Sequence, residues 1–147
     1  MGLTKKSEIP DVNIVETENV KLNVPLLVLG FAGPGLIGGI AVTHIIDQLK
    51  MKKIAHVSSK YLPPGVVFMD GKLRNSFRIY SNKEGTLCAI VCELPFFSDG
   101  LYQIASTLLE WIEMKGVKEL VILDGIGVKG VPKERKAFCA AEDEKCK

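Results

Sequence analysis

The chain has 147 residues, of which 47% are hydrophobic, 24% charged and 7% aromatic, the proportions of a globular domain and not of a disordered or fibrous chain. Folding at this length buries roughly two-thirds of the unfolded surface, enough for one core without disulfide or metal staples. Nineteen basic against seventeen acidic residues leave a formal charge of +2, too weak a field for non-specific nucleic-acid binding, and no basic stripe with interleaved aromatics makes up for it.

Residues 1–22 are polar and read as a flexible segment, unsuited to a signal peptide, followed by a single α/β domain over 23–147. Residues 24–42 carry no charge, but Pro25, Pro34 and five glycines inside them exclude a membrane span. The run VPLLVLGF (24–31) has the length and continuous apolar character of a strand buried on both faces of a parallel sheet, and is expected at its centre. Residues 36–50 follow as a helix apolar around most of its circumference, one that needs a cover such as another subunit. KIAHVS (53–58) completes a βαβ unit.

Three short runs, 65–70, 75–81 and 86–94, separated by the turn signals Asp70-Gly71 and Glu84-Gly85, then read as a β-meander whose last strand returns to the middle of the sheet. Ser98 or Asp99 is placed to cap the next helix, whose apolar face holds Leu101, Ile104, Ala105, Leu108 and Ile112 until Gly116 stops it. ELVIL (119–123) reads as another buried strand, Asp124 to Gly130 as a glycine loop at its C-terminal end, and KAFCAA (136–141) as the start of one more strand. The expected architecture is therefore a three-layer sandwich around a mostly parallel sheet with a meander inserted.

Gly33-Pro34-Gly35-Leu36-Ile37-Gly38 matches G-x-G-x-x-G between a strand and a helix, where backbone amides can cradle a pyrophosphate. The acidic residue that should follow the second strand is absent; the position reads Ser58-Ser59-Lys60, which could instead receive a phosphate. Two readings stay open: an anion site of Gly33, Gly35, Gly38, Ser58 and Lys60, or a structural turn for close strand–helix packing, favoured by the missing amide of Pro34. Glu93, Asp99 and Asp124 sit at strand ends, where acid–base carboxylates occur, but capping and turn formation account for them equally well. His44, His56 and the cysteines Cys88, Cys92, Cys139 and Cys146 lack metal-site spacing, so no metal or cofactor is expected, and a reducing, cytoplasmic setting fits. Tyr61 to Phe68 (YLPPGVVF) is apolar and stiffened by proline; with Phe96-Phe97 it supplies the interface candidates Tyr61, Val66, Val67, Phe68, Phe96 and Phe97.

The succession VLGFAGPGLIGGIA, the Pro-Pro-Gly loop, FRIY, ELPFFSDG and VILDGIGVKG resembles the proteasome-assembly chaperone family, in its archaeal, ATP-independent branch. The resemblance implies a nucleoside-phosphorylase-like α/β sandwich without catalytic activity, homo-oligomeric assembly, and proteasome α subunits or related chaperone subunits as partners. It also implies that the chain corresponds to the N-terminal part of a longer family domain. The C-terminal hydrophobic-Tyr-X tail by which such chaperones dock has no counterpart in Lys145-Cys146-Lys147.

Overall fold

The computed structural model describes residues 11–23, 25–95 and 97–142. Among them run β1 (Val12–Glu16), β2 (Leu26–Gly30), α1 (Ile37–Gln48), β3 (Lys52–Ser59), β4 (Val67–Met69), β5 (Lys72–Arg74), β6 (Phe77–Ser81), β7 (Leu87–Cys92), α2 (Leu101–Met114) and β8 (Glu119–Leu123). Single 3-10 turns at Pro34–Leu36 and Ser98–Gly100 lead into the two helices.

Six strands form one sheet in the order β1-β3-β6-β7-β2-β8, and β4 and β5 pair separately. Strands alternate their side chains between faces, and each face packs on one helix. Leu27, Leu29, Ile79 and Ile90 meet Ile104, Leu108, Trp111 and Ile112 of α2, whereas Val28, Tyr80, Ala89 and Val91 meet Val42 and Ile46 of α1. The three-layer arrangement is thus present.

The sheet is not mostly parallel. Only β2 pairs in parallel, with β7 and β8; the β1–β3, β3–β6 and β6–β7 pairs are antiparallel. Nor do β2, α1 and β3 make a compact βαβ unit, because β6 and β7 lie between the two strands. The reason is in the connections. Asn82 closes a tight turn by accepting the amides of Thr86 and Leu87 at 2.9 and 3.0 Å, so β6 and β7 are joined as an antiparallel hairpin that fills the sheet's middle.

β7 occupies the interior, as its apolar sequence predicts, while β2 lies one strand from the edge. β8 is an edge strand, with Leu120, Val121 and Ile122 exposed at 43%, 41% and 58%. No strand forms over residues 136–141, which are exposed and have no neighbouring strand among the described residues. Conversely, residues 12–16, inside the segment expected to be flexible, form β1; Val12 and Ile14 alternate onto the α2 side of the sheet.

On α2 the buried face is Ile104, Leu108, Trp111 and Ile112, while Leu101 and Ala105 are exposed. Neither Ser98 nor Asp99 makes a side-chain cap bond, the 3-10 turn taking that place. Gly116 ends the helix at φ +71°, with its amide on the Glu113 carbonyl and that of Val117 on the Ile112 carbonyl. Trp111 Nε1 donates to Glu16 Oε1 at 3.0 Å and Lys115 Nζ lies 2.6 Å from the same oxygen, tying α2 to β1. These hydrogen bonds, Lys115 first and Trp111 second, hold the Glu16 carboxyl below the usual carboxylate range. A carboxylate whose pKa is depressed by folding contributes its stability above the unfolded-state pKa and loses it as pH falls through the folded-state value. Urea unfolding at pH 7 and pH 3 should therefore show a smaller acid loss for Glu16→Gln than for the parent chain. Equal losses would remove Glu16 from the acid response.

Candidate functional site

The C-terminal ends of β2, β7 and β8 converge on the start of α1, the place where open α/β sheets keep their sites. The glycines let α1 lie almost on the strand ends. A Cβ on Gly30 would collide with the Gly38 carbonyl, one on Gly38 with the Leu123 carbonyl, and one on Gly33 with Oδ1 of Asp124. Gly35 turns the chain at φ +68°, a left-handed conformation that Leu36 shares at +55°. Asp124 accepts the Gly125 amide at 2.7 Å and stands against the loop, so a carboxylate faces the place where a pyrophosphate would need donors.

The other half of the anion constellation is elsewhere. Ser58 lies on β3, and Lys60, just beyond it, pairs with Asp11. β6 and β7 separate β3 from β2, three strand spacings or about 14 Å. Gly33, Gly35 and Gly38 are thus together, and Ser58 and Lys60 are apart from them.

Beside the loop opens a cleft of about 230 Å³ lined by Ala32, Leu36, Gly39, Ile40, Thr43, Cys92 and Glu93. Its walls are mainly apolar. Burial pushes the Cys92 thiol up to about 11, and its Sγ donates to the Leu94 carbonyl at 3.0 Å, so it stays protonated and is no nucleophile. Glu93 is engaged as well: its two oxygens accept Arg78 Nη1 and Nη2, each at 2.7 Å. Arg78 is buried to 1% exposure and its remaining donors reach the Tyr80 hydroxyl, the Asn75 carbonyl and Met69 Sδ. Asp99 accepts the Ser98 hydroxyl at 3.4 Å. Each carboxylate has its own local partner, and the cleft offers a shape for apolar side chains, with Glu93, paired to Arg78, in its lining.

The β4–β5 hairpin rests on that ion pair through Met69. Its two-residue turn, Asp70 at φ +51° and Gly71 at +73°, matches the twist of the strands. Phe68 stands opposite Leu73 on the outward face, both 70% exposed, and Val66 beside them is 62% exposed. Val67 is half-buried on the opposite face. Tyr61 turns inward instead, its ring filling the space where Gly100 would carry a Cβ and its carbonyl accepting the Phe97 amide at 2.9 Å. Phe97 is exposed; Phe96 lies outside the described residues. Leu36, Ile37 and Ile40 add exposures of 54%, 54% and 64% at the start of α1.

Sequence reasoning missed Leu73, a single apolar residue between Lys72 and Arg74. The signal was present in the Asp70-Gly71 turn, whose two-residue register sets 73 opposite 68. His44 is exposed on α1, while His56 on β3 buries Nδ1 without a hydrogen-bond partner among the described residues, and burial with the charge of Lys53 lowers its pKa. Among the described residues no three His, Cys, Asp or Glu side chains cluster to hold a metal.

Removing one partner of a buried ion pair leaves an unpaired charge. Arg78→Met should cost about 3 kcal/mol in chemical denaturation, and the double variant Arg78→Met/Glu93→Leu should recover most of it. A double variant no more stable than the single one would deny that the two side chains act as a pair.

The profile of the PAC2 family matches residues 27–147. No curated protein matches the chain. Among solved structures, a Thermoplasma acidophilum protein of unknown function is 40% identical, with TM-score 0.72 over 78% of this chain and 47% of its own. Pyrococcus furiosus PbaA, described as an archaeal homolog of proteasome-assembly chaperone, is 20% identical with TM-score 0.72 over 84% of this chain and 52% of its own. Pyrococcus furiosus PbaB, described as an archaeal proteasome activator, is 23% identical with TM-score 0.72 over 84% of this chain and 55% of its own. The last two are similar in fold, and the chain spans about half the length of all three. With the family profile extending over most of the sequence and the glycine loop, cleft and hairpin inside it, the chain belongs to the PAC2 family.

Proposed function

We propose that this chain is a non-enzymatic, cytoplasmic assembly chaperone that acts as a homo-oligomer and holds protein subunits, proteasome α subunits foremost, by their apolar surfaces. Membership of the PAC2 family supports the class, and the description of PbaA as a homolog of proteasome-assembly chaperone supports the client. The observation that carries the site is the outward Phe68–Leu73 pair on a hairpin rooted in a buried ion pair.

A rigid hairpin loses little entropy on docking, so the burial of its apolar face is spent on binding. Burying a phenylalanine side chain is worth roughly 1.5–3 kcal/mol before the costs of association. Lys72, Arg74 and Asp70 flank the pair and select the partner by charge. The cleft between α1 and β7, with Leu36 and Ile40 on its wall, offers a second apolar contact. No bond is made or broken. The client is released when its own neighbours in the growing ring cover the same apolar surface.

Native mass spectrometry of the chain mixed with archaeal proteasome α subunits is the test. A mixed complex is expected, and Phe68→Asp should weaken it at least about thirty-fold, the scale of an interface hot spot, with an unchanged circular-dichroism spectrum. Absence of any mixed complex would overturn the α-subunit client. A complex unaffected by Phe68→Asp would exclude the hairpin as its contact.

A further inference from the structure

The ladder between β3 and β6 ends where His56 faces Arg78, although β3 runs on through Val57, Ser58 and Ser59, paired there with β1 alone among the described residues. Continued register would set Ser58 opposite Ser76. Instead the strands part: the Ser76 carbonyl accepts the Glu93 amide at 3.1 Å and the Asn75 carbonyl accepts Arg78 Nη1, which draws 75–76 toward β7. The fork holds a cleft of about 130 Å³ whose walls all come from residues 57–76. We infer that this cleft binds a carboxylate, with the Asn75 amide and the hydroxyls of Ser58 and Ser76 as donors and Lys53 supplying the charge.

The donors are unspent. Ser76 is only 5% exposed and lines the cleft, yet neither its hydroxyl nor that of Ser58 has a hydrogen-bond partner among the described residues. A buried hydroxyl without a partner is costly, and a bound acceptor removes that cost. Asn75 is oriented by its neighbour: Oδ1 accepts Lys53 Nζ at 2.9 Å, which leaves both Nδ2 hydrogens to donate. Ser59 takes no part, since its hydroxyl donates to the Asp11 carbonyl and accepts the Tyr61 amide.

Charge selects an anion. The nearby carboxylates are taken, Glu93 by Arg78, Asp70 by Arg74 and Asp11 by Lys60, whereas Lys53 has no ion-pair partner among the described residues. Burial, then the charges of Arg78 and Arg74, lower the Lys53 pKa, and an anion relieves that crowding. A carboxylate fits better than a phosphate. One unpaired ammonium matches a single negative charge, and Leu62, Pro63 and Val66 on the wall suit the carbon chain that a carboxylate carries and a phosphate lacks. The carboxylate belongs either to a free short-chain acid or to an acidic side chain of a bound protein, and the recognition chemistry is the same.

NMR of the whole chain tests it, with sodium propionate titrated against sodium chloride at equal ionic strength. Propionate should give saturable shifts at Ser58, Ser76 and the Asn75 side-chain amide, with a dissociation constant on the order of 1 mM, and chloride should not. Asn75→Asp keeps the shape and the acceptor for Lys53 but turns the donors into a like charge, so binding should fall at least about ten-fold. Should Asn75→Asp fail to fold, Lys53→Met, at a half-buried position, should weaken binding in the same direction. A blocked tripeptide with a central glutamate that binds at least about ten-fold tighter than propionate assigns the carboxylate to a protein side chain, and weaker binding assigns it to a free acid. Shifts that rise without saturating, equal binding by the parent chain and the variant, or tighter binding of inorganic phosphate would each overturn the proposal. No client is present in the titration, so its failure leaves the assembly reading untouched.

Discussion

Everything at the functional end of this molecule depends on how closely one backbone can approach another. Gly30, Gly38 and Gly33 leave no Cβ between the start of α1, the end of β2 and the end of β8, so helix and strands meet backbone to backbone. That approach brings Asp124 against the loop and leaves Leu36, Ile37 and Ile40 facing outward. The glycine-rich turn packs the helix closely on the strand ends, and the surface beside it is apolar.

The second organising element is Arg78. Five donors on one planar group match two carboxylate oxygens, a hydroxyl, a carbonyl and a thioether, and so join β6, the end of β7, the segment before β6 and the small hairpin. Hairpins of two short strands are marginal alone. Anchored this way, β4 and β5 can hold Phe68 and Leu73 out in water, an arrangement that a freely moving loop would escape by collapsing its apolar residues inward.

How far the sequence could be read varied by element. The runs at β2 and β7 and the helices were legible because burial on two faces and a 3.6-residue period leave a direct trace in residue order. Cys88, Ala89, Ile90, Val91 and Cys92 are all fully buried, as their continuous apolar run suggested. At Leu120 to Ile122 an equally apolar run lies exposed at the edge of the sheet among the described residues. Hydrophobic patterning reports what a strand can bury and says nothing about which neighbours it has. Leu73 and the inward turn of Tyr61 were hidden for a related reason: one depends on a cross-strand register, the other on a glycine thirty-nine positions later in the chain.

By itself the sequence determined the α/β class, the positions of the helices and interior strands, the glycine loop and the family resemblance, since periodicity and turn chemistry are local properties. Only the tertiary structure decided that the sheet is mixed, that Ser58 and Lys60 lie far from Gly33, that Glu93 is neutralised by Arg78, and which apolar residues reach solvent. These are outcomes of strand order and long-range pairing. No local pattern encodes them, because each is settled by competition among contacts between residues distant in the chain.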